Sequence, residues 1–506
     1  MRKRYILCAL CALTIGLCMT AVLVACRGGS GEETSAGSTT GSDEPIGEFT
    51  EPEDSETVAG ESVTETVAPP DSETEELLTA EPGHAASEAG AKTADILLAA
   101  DFGVVGDGVT DDGPAISEAV RAAVERQATL RFEAGKTYYV GTATNTAAVF
   151  RSPFSMKDAS GVTLDGQGAI FRMKPGLSFF ALAGCKDIRL ENCVFDMAES
   201  VYLVGRVESV DGKTVAFSVD REPYLASYDF TAVNGFAIRY NEGVQGRPHR
   251  FLRTMERTGE RQVKVTYASS PDCVRGDLVF LPNPGIGHAY SEAIYIGGCG
   301  GALVFENITI RQAPSFIMAI KGNNAEMYFE NVDMLPDTED GREIHMVSWR
   351  GGYHCKDNRL PIHWNECDVG VLYDDVFNIS NTLGYITEVT DDNVFTAVNY
   401  ELWLQGRRIS PGYRIGDAVD VYDLGNGAFC GTGTVRRVVN NADGSSTVTL
   451  EYGETLNNVK TGFVVANRAT GAPGSTITNS RFTGTFRFLR DLRVENCRFE
   501  TLATWI

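Results

Sequence analysis

The feature that most constrains this chain is a short pattern that recurs between residues 188 and 499. Each copy has apolar residues two positions apart, then a polar turn, then a second short apolar strand. The copies read IRLENCVF from Ile188, LVFENITI from Leu303, MYFENVDM from Met327, IHWNECDV from Ile362 and LRVENCRF from Leu492. A period of two places one set of side chains on the inside. Because the copies resemble each other, as stacked coils require, the pattern predicts a β-solenoid rather than a β-sandwich.

Asparagine residues mark the predicted turns of this solenoid. Asn192, Asn307, Asn331 and Asn496 occupy the same place in their copies, and Asn side chains favour tight turns. Stacked coils would align these side chains into a hydrogen-bonded ladder. The spacing of 24 residues from Asn307 to Asn331 matches a single coil. No polar cap is recognisable between the last copy and Ile506, although the edge of a solenoid normally has one.

Two stretches interrupt the repeat, at about 201–284 and 384–468. Both contain short runs in which every second residue is apolar, the pattern of antiparallel strands. Both also contain a Gly-Asp pair followed by an apolar strand, at 276–277 and 416–417. We therefore predict two copies of a small antiparallel β module, inserted into a solenoid domain that covers 93–506.

The first 92 residues form no part of the predicted solenoid. Basic residues at 2–4 precede an apolar run from Tyr5 to Val24, and the run leads into Leu-Val-Ala-Cys, which ends at Cys26. This ending resembles the bacterial lipobox. The resemblance implies that residues 1–26 are a lipoprotein signal peptide and that Cys26 carries the lipid. The alternative is a transmembrane anchor, because the apolar run is nearly long enough to span a bilayer.

Residues 27–92 are predicted to be a disordered acidic tether. They are rich in Ser, Thr, Glu, Gly and Pro, and residues 27–91 contain 17 acidic residues and one Arg without an apolar period. A lipid anchor followed by such a tether would hold the folded domain outside the membrane, at the bacterial cell surface. The formal net charge of −24 argues against a nucleic-acid partner, since an acidic protein repels phosphate backbones.

The cysteine residues of the folded part show neither Cys-x-x-Cys pairs nor the spacing of a metal-binding finger. Several of them occupy apolar positions of the repeat, so we expect buried thiols, no metal site and no cofactor. We also expect a monomer. The residues are Cys185, Cys193, Cys273, Cys299, Cys355, Cys367, Cys430 and Cys497.

The folded part opens with the sequence ADFGVVGDGVTDDGPAISEAVRAAV, which begins at Ala100. A Gly-Asp-Gly turn at 106–108 precedes a predicted helix that Asp111 or Asp112 caps. Its apolar face comprises Ile116, Ala119, Val120 and Ala123. The phrase DFGxxGDGxTDD before such a helix closely resembles the start of pectate-lyase-like proteins. The resemblance implies an all-β fold, a right-handed parallel β-helix, whose end is covered by a short N-terminal capping helix.

The densest set of chemically useful side chains lies at 343–380, between the two inserts. It contains three of the six His residues, two of the four Trp residues and the consecutive acids Asp374 and Asp375. Glycoside hydrolysis needs two carboxyl groups about a groove, one that donates a proton and one that activates water or attacks directly. Neighbouring residues of a strand face opposite sides, so both acids can serve only at a bend or bulge.

The same segment resembles the α-1,3-galactosidases of glycoside hydrolase family 110. The sequences GYHC at 352–355 and DDVFNI at 374–379 fit the motifs of that family. The resemblance implies a β-helix with inserted barrels and an enzyme that removes terminal α-galactose by inversion, without a metal. A third acid of the family falls on Gly351 here. Asp357 is the nearest remaining acid, and we take it as a third candidate catalytic residue beside Asp374 and Asp375.

Residues around the acid pair have both functional and structural interpretations. His354, Trp349 and Tyr353 are candidate substrate-binding residues, because aromatic rings can stack on a sugar face and a His can bond a hydroxyl group. The structural alternatives are core filling for the two aromatic residues and satisfaction of a backbone carbonyl for His354. Asp357 could instead pair with a neighbouring cation at the surface.

Three functions follow from these patterns, all with a carbohydrate partner. The first is a cell-surface glycoside hydrolase that acts on terminal α-galactosides through an inverting two-carboxylate mechanism. The second is a polysaccharide lyase of the pectate-lyase type, which would need Ca²⁺ and a basic residue that removes a proton beside a uronate. The third is a surface solenoid that binds glycans with an impaired catalytic site, which Gly351 favours.

Overall fold

The computed structural model describes residues 95–501 except 148–149, 200, 220–235, 242–243, 272, 283–291, 338–346, 349, 371, 373, 452–458 and 489–490. Cys26, the predicted signal peptide and the predicted tether lie outside the described residues, and so does Trp349. Among the helices of the described part, none is both long and apolar enough to cross a membrane.

The N-terminal part of the described chain forms a cap and the first coils of a solenoid. Its elements are β1 (Ile96–Leu98), a 3₁₀ helix (Ala99–Phe102), β2 (Asp107–Asp111), α1 (Gly113–Arg126), β3 (Thr129–Arg131), β4 (Thr137–Val140), β5 (Thr146–Ala147), β6 (Phe150–Arg151), β7 (Phe154–Lys157), β8 (Ser160–Met173), β9 (Phe180–Ala183) and β10 (Lys186–Met197). The helix α1 buries the predicted apolar face, since Ile116, Ala119, Val120 and Ala123 are at most 1% exposed.

The two candidate capping acids of α1 have different partners. The carboxylate of Asp111 accepts a hydrogen bond from the N–H of Gly113, at the start of the helix. The carboxylate of Asp112 instead accepts bonds from the N–H groups of Val105 and Gly106. Asp111 therefore serves the helix end, while Asp112 ties the preceding Gly-Asp-Gly turn to the helix.

The first insert is a closed six-stranded antiparallel barrel, here called the first barrel. Its strands are β11 (Tyr202–Asp211), β12 (Thr214–Val219), β13 (Phe236–Asn241), β14 (Val244–Arg257), β15 (Gln262–Tyr267) and β16 (Leu278–Pro282). They pair in the order β11-β12-β15-β14-β13-β16, and β16 closes the barrel against β11. Alternating apolar residues fill the interior, as in β12, where Val215, Phe217 and Val219 are buried.

The solenoid resumes after the first barrel. Its strands here are β17 (Glu292–Gly297), β18 (Gly300–Ile310), β19 (Phe316–Lys321), β20 (Asn324–Met334), β21 (Tyr353–Lys356), β22 (Ile362–Asn365), β23 (Asp368–Val369) and β24 (Asp375–Ser380). They pair in parallel with the strands of neighbouring coils, and β18 and β20 keep one register over their whole length. The predicted coil of 24 residues is confirmed, because Phe305 lies opposite Phe329.

The second insert is a closed barrel with the same pairing order, here called the second barrel. Its elements are β25 (Leu383–Asp391), β26 (Val394–Asn399), α2 (Tyr400–Leu404), β27 (Ala418–Asp423), β28 (Phe429–Asn440), β29 (Ser446–Leu450), β30 (Phe463–Asn467) and a 3₁₀ helix (Arg468–Thr470). The order β25-β26-β29-β28-β27-β30 repeats that of the first barrel strand by strand. The prediction of two inserted antiparallel modules of one kind is therefore confirmed.

The two Gly-Asp pairs stand at different strands of these barrels. The pair at 276–277 precedes the sixth strand of the first barrel, whereas the pair at 416–417 precedes the third strand of the second. Both glycines have a positive φ and donate a backbone hydrogen bond to the neighbouring strand of the barrel, to Val207 at 2.8 Å and to Val435 at 2.7 Å. The pairing order of each barrel stays the same when its first three strands are exchanged with its last three. The third and sixth strands therefore occupy equivalent positions, and the same Gly-Asp turn can precede either of them.

The last described strands are β31 (Thr476–Thr478), β32 (Arg481–Arg487), β33 (Arg493–Glu495) and β34 (Arg498–Thr501). Together the solenoid strands form a right-handed parallel β-helix with three faces. The first face runs from β3 through the starts of β8, β10, β18 and β20 to β22 and β31. The second face contains the C-terminal ends of β8, β10, β18 and β20, together with β23 and the start of β32. The third face contains β7, β9, β17, β19, β21, β24 and the end of β32.

The corner between the first and second faces is the predicted asparagine ladder. Asn192, Asn307 and Asn331 have φ angles between 52° and 57°, the left-handed conformation that Asn tolerates. Asn307 donates a side-chain hydrogen bond to Asn192 at 3.0 Å, and Asn331 donates one to Asn307 at 2.9 Å. Asn496 continues the ladder onto Asn479 at 3.2 Å. Each of these bonds therefore links the Asn side chain of one turn to the Asn side chain of a neighbouring turn.

None of the eight cysteine residues named above forms a disulfide. Six are buried, and Cys430 and Cys497 are half-buried. Within the ladder corner, Cys193 and Cys367 each lie one residue after the turn, where they fill the core. Burial raises the pKa of the Cys367 thiol to about 12. The expectation of buried thiols is therefore confirmed for six of the eight.

Candidate active site

The acid pair lies at the N-terminal end of β24, on the third face. Asp374 directly precedes the strand and Asp375 is its first residue. On one side β24 pairs in regular register with β21, where His354 lies opposite Asn378. On the other side it pairs with β32, and the register shifts between Asp375 and Phe377. The pairing with β32 is therefore irregular directly after the acid pair, and Asp374 itself lies outside the regular strand.

A glycine on β32 allows this irregular pairing. A Cβ atom at Gly484 would lie 2.5 Å from Cγ2 of Val376, which is far closer than two carbon atoms approach. Val376 is fully buried between the strands. Only glycine therefore lets the start of β24 lie against β32, so the sequence at residue 484 helps to position the acid pair.

Asp375 is almost completely buried, with 3% of its side chain exposed. Its Oδ2 atom lies 3.1 Å from Nε of Arg487 and accepts a hydrogen bond of 3.1 Å from Nδ2 of Asn378. Its Oδ1 atom has no hydrogen-bond partner in the described part of the chain. Burial raises the pKa of Asp375 to about 7 and the charge of Asp374 adds to the rise, while Arg487 and Asn378 oppose it.

Asp374 has a different environment from its neighbour. Its side chain is 34% exposed, and its Oδ2 atom lies 3.8 Å from Nη1 of Arg350. The guanidinium of Arg350 also lies over the ring of Phe316, 4.9 Å from the ring centre, which fixes its orientation. The two acids therefore differ sharply: one is buried and can hold a proton near neutral pH, and the other forms an ion pair at the surface.

His354 lies on β21, beside the acid pair. Its ring packs 4.3 Å from the ring of Phe316, and its Nε2 atom is buried without a hydrogen-bond partner among the described residues. Burial lowers the pKa of His354 to about 4; Asp374 opposes this change, and the cations Lys321 and Arg350 reinforce it. The imidazole is therefore neutral at pH 7, and it can donate or accept one hydrogen bond at its free nitrogen.

Gly351, on which the third acid of family 110 falls in the predicted resemblance, is closely surrounded. A Cβ atom there would lie 2.7 Å from the carbonyl oxygen of Asp375 and 2.9 Å from Nε2 of His354. The space that a side chain at 351 would need is therefore occupied by the imidazole ring and by the backbone of the acid pair. The placement of the His354 ring therefore depends on the absence of a side chain at Gly351.

Tyr353 faces away from this cluster. Tyr353 is fully buried, and its ring stacks on Phe377 at 5.1 Å inside the β-helix. The alternation of β21 turns it inward where His354 faces outward, so the predicted contact of Tyr353 with a sugar does not fit its placement. Its observed role is core filling. Trp349, the third ring candidate, lies outside the described residues.

Asp357 lies between β21 and β22, beside the residues through which the chain enters the second barrel. Its two carboxylate oxygens accept hydrogen bonds from the N–H and the hydroxyl of Thr382, both at 2.6 Å. Its own N–H donates to the carbonyl of Ser380, at the C-terminal end of β24. The acid pair lies at the opposite end of that strand, roughly 16 Å away at the usual rise per residue. The structure therefore does not bring Asp357 to Asp374 and Asp375.

Three further residues complete the site: the sequence analysis did not single out Arg350 or Arg487, and it noted Asn378 only as part of the motif at 374–379. Arg350 and Arg487 each lie beside one acid, and Asn378 bonds Asp375. Arg487 belongs to the coil that follows the second barrel, so only the pairing of β24 with β32 brings it close. Asn378 stands inside the motif DDVFNI, and its spacing from Asp375 was the one available signal. Nothing in the local pattern marked either arginine.

Other charged side chains on the third face form their own ion pairs. Lys321 pairs with Glu292 at 3.1 Å, and Lys356 bonds both carboxylate oxygens of Glu401 on α2, at 2.6 and 2.7 Å. Among the described residues, no group of three or more His, Cys, Asp or Glu residues is placed to hold a metal ion. The arrangement that remains for chemistry is the acid pair, which can donate a proton at one carboxyl and accept one at the other.

No model of a protein family and no curated protein matches this sequence. Among solved structures, the chain is similar to a "putative glycosyl hydrolase" from Parabacteroides merdae, at 13% identity and a TM-score of 0.27, over 57% of this chain and 94% of that chain. It is also similar to the A-module of the mannuronan C-5 epimerase AlgE4 from Azotobacter vinelandii, at 10% identity and a TM-score of 0.17, over 81% and 96% of the two chains. A third is the Streptococcus pneumoniae surface protein and adhesin PfbA, at 11% identity and a TM-score of 0.16, over 81% and 99%. None of these similarities identifies an activity for this chain.

Proposed function

We propose that this protein is a glycoside hydrolase in which Asp375 donates a proton and Asp374 activates water. The observation that carries this proposal is the contrast between the two acids. Asp375 is buried with its pKa raised to about 7, whereas Asp374 is one-third exposed and paired with Arg350. Two carboxyl groups whose environments separate their proton affinities are the usual arrangement for acid and base in glycoside hydrolysis.

The proposed reaction follows from these positions. Asp375 protonates the glycosidic oxygen as its bond to the anomeric carbon breaks. Asp374 removes a proton from a water molecule that attacks the same carbon from the opposite side, so the configuration inverts. The proton gained by Asp374 and the one lost by Asp375 are then exchanged with solvent. Asp375 is almost completely buried in this structure, so the proposed reaction requires the site to open when substrate binds.

We propose terminal α-galactosides as the substrate, on the basis of the resemblance at 352–355 and 374–379 to family 110. We propose that the protein needs no cofactor. We also propose that it is a monomer at the bacterial cell surface, anchored through lipid on Cys26. His354 is the proposed substrate-binding residue, because its free ring nitrogen lies next to the acid pair. Asp357 and Tyr353 have no part in this mechanism.

A second candidate function is glycan binding without turnover. The crowding around Gly351 favours it, because the position of the family's third acid is filled by His354 and by the backbone of Asp375. The burial of the Oδ1 atom of Asp375 also favours binding without turnover. A solenoid with such a site could hold a sugar and hydrolyse it slowly or not at all.

The test is a panel of α-linked galactosides with and without EDTA, followed by NMR of the product. We expect release of galactose that EDTA does not reduce, with the β-anomer formed first, since inversion at an α-linked centre gives that product. Binding of the same sugars without release would support the glycan-binding alternative. An unsaturated product that EDTA suppresses would instead show a lyase, and formation of the α-anomer first would refute inversion.

A further inference from the structure

The carboxyl group of Asp375 is held by side chains from two strands. Arg487, from β32, approaches Oδ2 with Nε at 3.1 Å, and Asn378, from β24 itself, donates to the same oxygen at 3.1 Å. The other oxygen, Oδ1, is buried and has no partner within the described residues. All polar contacts therefore converge on one oxygen, which leaves the other free to carry the proton.

The charges that face this carboxyl group have opposite effects. Asp374 is the adjacent acid, and its negative charge disfavours ionisation of Asp375. Arg487 is the cation in direct contact, and it favours the ionised form. Arg350, from the segment before β21, pairs with Asp374. His354, on β21, is neutral near pH 7 because burial lowers its pKa to about 4. Arg487 is therefore the cation placed to balance a charge on Asp375.

Arg487 has a matched counterpart on the same strand. Arg481 also lies on β32, is 53% exposed, and pairs with Asp368 at 2.9 Å. Arg487 is 49% exposed and pairs with Asp375. The two residues thus share strand, exposure and an acidic partner. Their acidic partners differ in burial, since the partner of Arg487 is 3% exposed and that of Arg481 is 32% exposed. Water therefore screens the interaction of Arg487 with its partner less than that of Arg481.

We propose that Arg487 is the positioning residue that sets the proton affinity of Asp375 and stabilises the carboxylate left after Asp375 gives up its proton. This inference rests on the proposed function and extends it, because it assigns a role to a residue that the chain brings in from beyond the second barrel. While Asp375 is protonated, Arg487 holds Oδ2 and directs the proton to Oδ1. When the proton moves to the leaving oxygen, the negative charge forms next to the guanidinium.

The experiment compares the full-length wild type with Arg487→Met, Arg487→Lys and Arg481→Met. The midpoint of the alkaline limb of kcat/KM reports the acid that must be protonated in the free enzyme. We expect Arg487→Met to raise that midpoint by roughly one pH unit and to lower kcat roughly 10-fold, because an opposing charge at this distance is removed. Arg487→Lys should recover part of both changes. Arg481→Met should change neither, although it removes a similar ion pair.

A second measurement keeps this inference separate from the hydrolase proposal. Carbon-13 NMR of the side-chain carboxyl of Asp375, assigned with Asp375→Asn, follows its titration without substrate. If the wild type releases no galactose from any galactoside, the hydrolase proposal fails. A higher titration midpoint in Arg487→Met would then still support control of Asp375 by Arg487. An unchanged NMR midpoint in Arg487→Met, or an equal shift in Arg481→Met, would overturn the inference in either case.

Discussion

The asparagine corner and the N-terminal end of β24 belong to the same solenoid, but the corner is regular and the start of the strand is irregular. At the corner, each coil repeats the last, and Asn331 and Asn307 satisfy each other's polar groups. At β24 the register slips, and Asp375 keeps a buried oxygen without a partner among the described residues. The comparison teaches that the regular corner carries stability, whereas the irregular strand holds polar groups in states that cost stability and can perform chemistry.

The largest expected effect is on turnover and concerns Asp375. Asp375→Asn keeps the shape of the side chain and removes its proton chemistry. If the protein hydrolyses galactosides, kcat should fall roughly 10²- to 10⁴-fold with little change in KM, because the lost interaction exists only in the transition state. Steady-state kinetics on the best galactoside measures it. Asp357→Asn is the control, since Asp357 serves a turn; an equal loss there would show that the wrong acid was assigned.

The second prediction concerns stability against pH. Because the pKa of Asp375 rises from 3.8 to about 7 on folding, the folded state binds the proton more tightly than the unfolded chain. Its contribution to stability is therefore complete below pH 3.8 and is lost as the pH rises towards 7, by about 4 kcal/mol in all. Asp375→Asn should remove this slope in urea unfolding measured between pH 4 and 8.

The matched control for that slope is Asp417→Asn. Asp417 is also buried, but hydrogen bonds and the charge of Arg359 lower its pKa below 3.8. Its contribution is therefore present above pH 3.8 and lost only in stronger acid. Between pH 4 and 8 the variant should be less stable than the wild type by a constant amount. The buried His354, whose pKa is lowered to about 4, adds a slope of opposite sign, so a fall in stability with rising pH that persists in Asp375→Asn would show that another carboxyl group titrates.

Gly351 provides the third prediction, which tests whether this crowded position tolerates an acidic side chain. Gly351→Asp should destabilise the protein by about 1–3 kcal/mol and should not raise turnover, because its Cβ would collide with Asp375 and His354. Gly351→Ala introduces the same Cβ alone and should account for most of the destabilisation. Urea unfolding and galactoside assays measure both variants. A faster Gly351→Asp variant would show that the site is intact and lacks only this acid.

The smallest expected effect lies in the regular corner. Asn331→Ala removes one ladder bond and places Ala at a φ of 52°, and it should cost about 1–2 kcal/mol without changing catalysis. Asn331→Gly removes the same bond but accepts the positive φ, so it should cost less. Thermal unfolding of the two variants separates the bond from the backbone strain. A loss of turnover in either variant would break the division between the two regions.

The sequence predicted the regular region far better than the irregular one. The repeat at Asn307 and Asn331 contains both the strand period and the turn, so local residues determine the coil and its ladder. The acid pair was visible as two consecutive acids, and the need for a bulge followed from strand alternation. Arg487 could not be inferred, because its position depends on which coil follows the second barrel. Tyr353 was misplaced because its inward direction depends on the register of β21 with its neighbours.

The barrels also have a consequence for how the chain reaches this fold. Asn192 and Asn307 are neighbours in the ladder although 115 residues separate them, whereas Asn307 and Asn331 are 24 residues apart. Closing so long a loop is slow when its chain is flexible. The first barrel removes this difficulty, because its first and last strands pair and hold both ends together, with Tyr202 opposite Pro282. We therefore expect each barrel to form early, and the coils on either side to join afterwards as if they were consecutive.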